Sequence, residues 1–304
     1  MRTLRLGTRG SPLALWQAHM VAARLRAAHG LPEDAVAIVP IRTTGDRVQD
    51  RALAEIGGKA LWTKELDRAL LAGEIDCAVH SMKDVETIRP AEIVIAAMPP
   101  RADVRDRLIG ADSLAALPPG ARVGTSSPRR AAQVRRARPD ATILLFRGNV
   151  DTRLAKLAAG EADATLLAAA GLDRLDKTDI GHALPIDTML PAPAQGAVGV
   201  EARADDHAML ALLAAIDDAA TSMCVRAERD LLAALGADCR SPVAAVATVA
   251  DGGIHLRAEI LSEDGALWQA GETRFAAGDA DAPARLAADL LRDAAPPLRA
   301  LFTP

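Results

Sequence analysis

The fold of this chain is decided by two similar stretches, Arg5-Leu-Gly-Thr-Arg-Gly-Ser-Pro12 and Arg122-Val-Gly-Thr-Ser-Ser-Pro128. In each, a strand-like segment leads to a serine followed by proline, a pair suited to the cap and first residue of a helix. A second match follows in the same order, because Gly73-Glu-Ile-Asp76 is similar to Gly160-Glu-Ala-Asp163. The repeat predicts two similar α/β domains, each opening with a strand, a loop and a helix. Chance similarity between short strings rich in alanine and glycine is the alternative.

Strand-like apolar runs recur along the chain, with helical stretches between most of them. These runs lie at 4–6, 35–41, 77–80, 93–98, 122–124, 142–146, 164–167 and 198–200. Alternating β and α elements predict mostly parallel sheets with covered faces. Because ligands of such sheets bind at the carboxyl ends of strands and at helix N-termini, we expect the functional residues on the loops that follow the strands.

Proline-rich stretches mark the predicted domain crossings, at Pro99-Pro100 and Pro191-Ala-Pro193. We predict domain 1 at 1–98 plus 194–216, domain 2 at 99–193 and domain 3 at 217–304. Domain 1 carries additional residues between its matched stretches, in a polar segment at 43–60. Domain 3 is predicted as a small α+β domain, with helices at 221–235 and 283–292 and strands at 243–250 and 254–261.

Composition limits the classes of function. The 304 residues carry a net charge of −4 and an isoelectric point near 5.9, and 2% are aromatic, with no tyrosine. An acidic chain with few stacking side chains is poorly suited to nucleic acid. No apolar run reaches the roughly 18 residues of a membrane span, and the start has no signal-peptide pattern. We therefore expect a cytoplasmic protein that binds neither nucleic acid nor membrane, and a monomer, since no heptad or apolar stripe is evident.

Arginines are concentrated on short segments rich in glycine, serine and threonine. They are Arg9, Arg129, Arg130, Arg147, Arg153 and Arg174. A guanidinium binds a carboxylate or phosphate through two hydrogen bonds, so the set predicts a site for a multiply charged anion. Arg129 and Arg130 lie in the first turn of a predicted helix, where the dipole disfavours a cation, and this favours an anion partner for them. Surface charge at helix ends is the alternative interpretation.

A carboxylate, Asp84, follows Lys83 just after the apolar run 77–80. The repeat places Gly171 at the equivalent position, so only the first half has a carboxylate there. At the end of a strand in a cleft, a carboxylate can transfer a proton or stabilise a developing cation. A solvated Lys–Asp pair in a turn is the alternative.

The three cysteines are too few and too scattered for a disulfide framework or a zinc site. Cys239 lies between a predicted helix and a predicted strand, which indicates a reachable thiol. The neighbouring Arg240 favours the thiolate. Cys77 and Cys224 fall in apolar or helical segments and are interpreted as core residues. An unreactive loop cysteine is the alternative for Cys239.

A set of short segments extends in order along nearly the whole chain. They are Thr8-Arg-Gly-Ser-Pro-Leu-Ala-Leu-Trp-Gln-Ala18, Gly57-Gly-Lys59, Lys64-Glu-Leu66, Ala78-Val-His-Ser-Met-Lys-Asp-Val85, Gly124-Thr-Ser-Ser127, Arg129-Arg130, Arg147-Gly-Asn-Val150, Thr152-Arg-Leu154, Ala170-Gly-Leu172 and Gln195-Gly-Ala-Val-Gly199. Together they resemble the porphobilinogen deaminase family. The resemblance implies two domains similar to type II periplasmic binding proteins and a third, small domain. It also implies an enzyme that joins four porphobilinogen molecules head to tail on a covalently held dipyrromethane primer, releasing ammonia and yielding hydroxymethylbilane.

The resemblance further implies a role for each matching residue. Cys239 holds the dipyrromethane through a thioether, and Asp84 protonates the departing amine and stabilises the cationic pyrrole. The residues implied to bind the cofactor are Lys83, Ser126, Arg129, Arg130 and Arg147. The residues implied to bind the substrate are Arg9, Ser11, Arg153, Arg174 and Lys59, the last of them on a lid formed by segment 43–60. No metal is implied.

Two positions depart from the family pattern. Glu86 replaces the common proline after Lys-Asp-Val, which is expected to loosen the loop that carries Asp84. Ala237-Asp238 precede the cysteine in place of glycine-rich residues, which is expected to alter the flexibility of that loop and the thiol. Apart from the resemblance, an arginine-rich cleft fits a non-catalytic small-anion binding protein equally well, and this is the alternative function.

Overall fold

The computed structural model describes residues 2–43 and 63–302, which form two compact units. Of these residues, the first unit holds 2–43, 63–102 and 197–222, and the second holds 103–196 and 223–302. The second unit thus contains most of predicted domains 2 and 3 together, and the predicted boundaries between three domains stay predictions.

The described elements follow one another in chain order. The strands are β1 (Leu4–Arg9), β2 (Val36–Ile41), β3 (Cys77–Ser81), β4 (Ile93–Ala97), β5 (Asp106–Ile109), β6 (Arg122–Gly124), β7 (Thr142–Leu144), β8 (Ala164–Ala168), β9 (His182–Ala183), β10 (Val198–Arg203), β11 (Val243–Ala250), β12 (Gly253–Leu261) and β13 (Trp268–Ala276). The helices are α1 (Pro12–His29), α2 (Lys64–Leu71), α3 (Pro128–Ala137), α4 (Val150–Ala158), α5 (Ala169–Asp173), α6 (His207–Ala214), α7 (Ala219–Ala234), α8 (Ala282–Asp293) and α9 (Pro296–Arg299), with 3₁₀ turns at Glu33–Ala35, Met82–Asp84 and Ala300–Phe302.

Each unit contains a five-stranded mixed sheet with the same arrangement. The orders are β2-β1-β3-β10-β4 in the first unit and β7-β6-β8-β5-β9 in the second. In both, the first three strands are parallel and the last two pairings are antiparallel. The prediction of two similar α/β domains is therefore confirmed. The sheets are mixed because β10 and β5, each of which follows a proline-rich crossing, run against their neighbours.

The repeated residues make the same contacts in both sheets. Arg5 donates from its main-chain N–H and from Nη2 to Asp76, at 2.7 and 2.9 Å. Arg122 makes the matching pair of bonds to Asp163, at 2.7 and 2.8 Å. Each ion pair joins the beginning of one strand to the residue before its parallel neighbour, which fixes the register of the two strands.

The predicted helix caps are also present in both halves. Ser11 Oγ accepts the N–H of Ala14 at the start of α1, and Ser127 Oγ accepts the N–H of Arg130 at the start of α3. In both helices proline is the first residue. Such caps satisfy N–H groups that have no partner within the helix, and they fix where the loops after β1 and β6 end.

The C-terminal part of the second unit is an antiparallel sheet of order β11-β12-β13, covered by helices α7 and α8. Its core includes Leu231, Leu256 and Leu290. This agrees with the predicted small α+β domain, but the sequence analysis missed β13. Exposed and half-buried residues alternate along β13, which lies at the edge of its sheet, so the strand lacks an apolar run.

No single helix in the ranges 2–43 and 63–302 is long and apolar enough to cross a membrane, although α6 and α7 meet the length and composition criteria together as a pair broken by a sharp bend. Met209 and Leu213 of α6 and Leu231 of α7 are buried in the cores.

Candidate active site

Asp84 lies in the 3₁₀ turn that directly follows β3, the central strand of the first sheet. The N–H of Met82 donates to the carbonyl of Ala197, and the N–H of Val85 closes the turn on the carbonyl of Met82. The side chain of Met82 is buried against β10, where a Cβ on Gly199 would lie 2.0 Å from its Sδ. The main chain is therefore fixed on both sides of Asp84, which is itself half-buried.

A pocket in the first unit brings together residues from the ends of β1 and β3. Arg9, Ser11 and Asp84 all line it. Gln17 and Ser81 line it as well, and Nε2 of Gln17 donates to Oγ of Ser81 at 2.8 Å. The sequence analysis gave Gln17 and Ser81 no role, although both lie in segments that carry the family resemblance, and this was the signal available.

Buried titratable residues lie on and beside the strand that leads to Asp84. Nε2 of His80, on β3, lies 3.1 Å from Oε2 of Glu201, on β10. Glu201 also accepts two hydrogen bonds from Arg89. Burial opposes ionisation of Glu201, but its contacts with His80 and Arg89 hold its pKa at about 2. This carboxylate is therefore charged at neutral pH although it is fully buried.

In the second unit, predicted anion-binding residues follow the carboxyl ends of β6 and β7. The two loops are tied together, since the N–H of Thr125 donates to the carbonyl of Leu144 at 2.9 Å. Nη2 of Arg153 donates to Oγ of Ser126 at 3.2 Å. Arg147 is buried on the loop after β7. Ser126, on the loop after β6, and Arg153, in the first turn of α4, are thus brought together near the strand ends where ligands of such sheets bind.

Arg129 and Arg130 are buried and share a carboxylate that the sequence analysis missed. Nη1 of Arg129 and Nη2 of Arg130 donate to Asp106 at 2.6 and 2.7 Å, and Nε2 of Gln195 donates to the same group at 2.9 Å. Burial opposes ionisation of Asp106, but the two guanidinium groups hold its pKa well below the ordinary value. Asp106 is thus an internal anion partner for these two first-turn arginines. Arg129, Arg130 and Asp106 together carry one net positive charge.

Arg174 lies directly after helix α5, which follows β8. Its Nη2 donates to the carbonyl of Gly196 at 2.8 Å. The side chain is buried, and this burial lowers the pKa of the guanidinium from its ordinary value. A buried cation gains most from an anionic ligand, because it has already lost its hydration.

Cys239 is exposed on the loop between α7 and β11, as predicted. Arg240 donates to Asp238 at 2.8 Å, so the charge expected to favour the thiolate is compensated by a neighbouring carboxylate. Cys77 and Cys224 are buried, which confirms their interpretation as core residues. Burial raises the pKa of the Cys77 thiol to about 12, so it stays protonated at neutral pH.

The predicted site residues fall into two groups, one in each unit. Arg9, Ser11 and Asp84 share the pocket of the first unit; Lys83, next to Asp84, is half-buried and is not among the residues that line it. The arginines other than Arg9 lie in the second unit with Ser126. The predicted lid segment 43–60, with Lys59, lies outside the described residues apart from Thr43. Across 2–43 and 63–302, no group of three or more His, Cys, Asp or Glu is placed to hold a metal ion.

Sequence comparisons match nearly the whole chain to one family. Residues 4–211 match the dipyrromethane cofactor binding domain of porphobilinogen deaminase, and residues 222–292 match the C-terminal domain of the same enzyme. The porphobilinogen deaminase of Sphingopyxis alaskensis is 63% identical over 98% of this chain and 96% of its own length. That of Paracoccus denitrificans is 52% identical over 96% of this chain and 95% of its own.

Solved structures give weaker likenesses. A periplasmic binding protein of Salmonella typhimurium with high arginine specificity covers 73% of this chain and 94% of its own, at 13% identity and a TM-score of 0.41. The VFT2 domain of BvgS from Bordetella pertussis covers 75% of this chain and 91% of its own, at 15% identity and the same TM-score.

Proposed function

The chain belongs to the porphobilinogen deaminase family, and from that membership we propose the residues that carry the reaction in this protein. The activity is that of porphobilinogen deaminase, or hydroxymethylbilane synthase, in tetrapyrrole biosynthesis, with a domain for the dipyrromethane cofactor. Family membership decides against the alternative of a non-catalytic small-anion binding protein.

Asp84 is the catalytic acid. Its carboxyl group transfers a proton to the aminomethyl nitrogen of porphobilinogen, the C–N bond breaks and ammonia leaves. The resulting carboxylate then stabilises the cationic methylene-pyrrole through the attraction of opposite charges. The observation that carries this proposal is the pocket that Asp84 shares with Arg9 and Ser11, at the end of a turn fixed by buried Met82.

The residues of this chain fit a dipyrromethane cofactor. Its acetate and propionate groups need cationic partners, and the second unit supplies several buried arginines. Nε of Arg129 is buried and lacks a hydrogen-bond partner among the residues described, so this cluster has a donor to spare. Cys239 holds the cofactor through its exposed sulfur. The residues that bind it non-covalently are Lys83, Ser126, Arg129, Arg130 and Arg147. When bound, dipyrromethane supplies the primer to which pyrrole units are joined.

The remaining cations bind carboxylates of the substrate and the growing chain. Each added pyrrole brings an acetate and a propionate, so negative charge accumulates as the product lengthens. Arg9 and Ser11 bind these groups beside Asp84, while Arg153 and Arg174 bind them in the second unit. Lys59 completes the set on the basis of the sequence alone. We also retain as proposals the three-domain division, a monomeric state and a location in the cytoplasm.

The first test is the intact mass of the denatured protein, followed by peptide mapping. We expect an excess mass of two linked pyrrole units on the peptide that contains Cys239. In Cys239→Ser this excess is absent, whereas the control Cys224→Ala, which alters a buried cysteine, keeps it. An excess mass that maps to another peptide contradicts the assignment. Purified apoenzyme incubated with porphobilinogen must gain the same mass.

The role of Asp84 is tested by Asp84→Asn in holoenzyme whose cofactor content has been checked by mass. We expect ammonia release from porphobilinogen to fall by at least about a hundredfold, the usual contribution of a positioned general acid. Asp34→Asn, which alters an exposed carboxylate of the same unit, serves as the control and keeps full activity. An Asp84→Asn enzyme that turns over at near the normal rate refutes the assignment.

A further inference from the structure

A buried arginine, Arg89, forms ion pairs with Glu86, which follows the turn that carries Asp84, and with Glu201, which lies beside His80 on the strand before that turn. We propose that Arg89 is a positioning residue for Asp84, acting through Glu201 and His80 before the turn and through Glu86 after it. The inference rests on the catalytic role proposed above for Asp84.

Before the turn, Arg89 holds Glu201 through two parallel hydrogen bonds. Its Nε donates to Oε1 at 2.7 Å and its Nη2 donates to Oε2 at 2.9 Å. Oε2 of Glu201 also lies 3.1 Å from Nε2 of His80, which is in β3 immediately before Ser81 and the turn. A bidentate pair fixes the orientation of both partners, so Arg89 holds the Glu201 carboxylate against His80, although Nε2 of His80 lies beside this carboxylate without a well-directed hydrogen bond.

After the turn, the same guanidinium holds Glu86. Nη1 of Arg89 donates to Oε2 of Glu86 at 2.7 Å. That oxygen also accepts a hydrogen bond from Oγ1 of Thr63 at 2.7 Å, and Nη1 of Arg89 reaches the same hydroxyl at 3.3 Å. One guanidinium group therefore connects His80, through Glu201, with Glu86, and the segment between them contains Asp84.

Burial makes these contacts strong. The side chains of Arg89 and Glu201 are 8% and 0% exposed. Burial opposes the charge of Arg89, but hydrogen bonds to Asp67 and Glu201 raise the pKa of its guanidinium above the ordinary value. When one partner of a buried ion pair is removed, the other charge is left uncompensated. Loss of Arg89 therefore forces Glu201, Glu86 and Asp67 to rearrange, and the turn between His80 and Glu86 moves.

The expected consequence is a loss of turnover more than a loss of binding. Proton transfer requires the Asp84 carboxyl group within hydrogen-bond reach of the leaving nitrogen, and a shift of about 1 Å in a reacting group can reduce the rate by roughly a hundredfold. The carboxylates of the substrate are bound by other residues. We therefore expect kcat to fall at least tenfold in Arg89→Met while KM changes less than about threefold.

The experiment uses holoenzyme in which the cofactor content of each variant is measured by mass. Arg68→Met is the matched control, because Arg68 pairs with Glu74 on the surface of the same unit and is 69% exposed. Hydrogen exchange of peptides that cover 80–86 is measured in parallel. We expect faster exchange at the N–H of Val85 in Arg89→Met and no change in Arg68→Met.

A double variant separates positioning from general destabilisation. If Arg89 acts through Asp84, Arg89→Met lowers kcat strongly in the normal enzyme and has little further effect in Asp84→Asn. A general defect of folding lowers the residual rate equally in both backgrounds. If Arg89→Met does not fold, Glu86→Gln replaces it, since this change removes only one of the carboxylates around Arg89.

Two results overturn the inference. One is a folded Arg89→Met or Glu86→Gln enzyme with the kcat and Val85 exchange of the Arg68→Met control. The other is an equal loss of kcat in both backgrounds. An error in the role proposed for Asp84 gives a different result from these two. In that case the Asp84→Asn enzyme, with Arg89 unchanged, is active.

Discussion

The buried cluster around Asp106 leads to a quantitative prediction about stability. Asp106→Asn keeps the size of the side chain but removes the charge that compensates Arg129 and Arg130. The carboxylate is 0% exposed and accepts charge-assisted hydrogen bonds from both guanidinium groups. Such bonds contribute about 1.5–3 kcal/mol each, and breaking a buried ion pair costs about 3–5 kcal/mol. We therefore expect the second unit to lose about 3–5 kcal/mol.

Native-state hydrogen exchange measures this loss within one unit, in the amides of β6 and β8. A loss of about 3 kcal/mol corresponds to roughly a hundredfold faster exchange through global opening. Asp289→Asn, which removes an exposed partner of Arg292, is the control and is expected to change stability by less than about 1 kcal/mol. If Asp106→Asn exchanges no faster than this control, the reasoning about the buried cluster is wrong.

The same cluster gives a direction for the dependence on pH. The pKa of Asp106 in the folded protein lies below the ~3.9 of an unfolded chain. Its stabilisation is therefore fully present above about pH 4 and is lost as the pH falls towards the folded value. In Asp106→Asn this part of the acid sensitivity disappears. An unchanged difference in stability between the two proteins from pH 7 down to pH 2 contradicts this account.

Three further predictions follow from other parts of the structure. A thiol reagent at pH 8 labels Cys239 of the apoenzyme but leaves Cys77 unlabelled, because Cys77 is buried with a pKa raised to about 12; labelling of Cys77 in the folded protein counts against this. Gly199→Ala displaces the Met82 side chain from its packing against β10, and we expect it to lower kcat more than KM. Kinetics identical to those of the normal enzyme show that this packing does not position Asp84. Arg147→Leu is expected to fold but to stop cofactor assembly or chain elongation, as measured by mass spectrometry. Normal elongation in this variant contradicts the proposal that Arg147 binds the cofactor.

The sequence was sufficient to predict those features that repeat. Arg5 and Asp76 recur as Arg122 and Asp163 in the matched stretches, and the two sheets that they predict have the same strand order. The strand runs and the two serine caps were equally visible, because each is determined by residues close together in the chain. The position of Asp84 after an apolar strand made it a candidate, but only the family resemblance gave it a role over a solvated Lys–Asp pair, and that role stays a prediction.

Features that depend on distant residues could not be predicted. Asp106 is separated from Arg129 and Arg130 by a long stretch of chain, and no motif connects them. Strand β5, which begins at Asp106, was missed because it is short and its first two residues are charged, so it has no apolar run. The contacts of Arg89 are hidden in the same way, since Glu201 is separated from Arg89 by 112 positions along the chain. Only the fold brings these charges together.

The matched ion pairs lie at the opposite ends of the strands from the loops that carry the proposed site residues. At those ends the two halves are alike, whereas after β3 and β8 they differ, with Asp84 in one half and Gly171 in the other. A repeated scaffold of this kind separates the residues that hold the fold from the residues that can differ between the two halves. The shared bonds hold the same architecture in both halves, while the opposite ends of the strands carry different residues, the proposed acid in one half and most of the proposed carboxylate-binding arginines in the other.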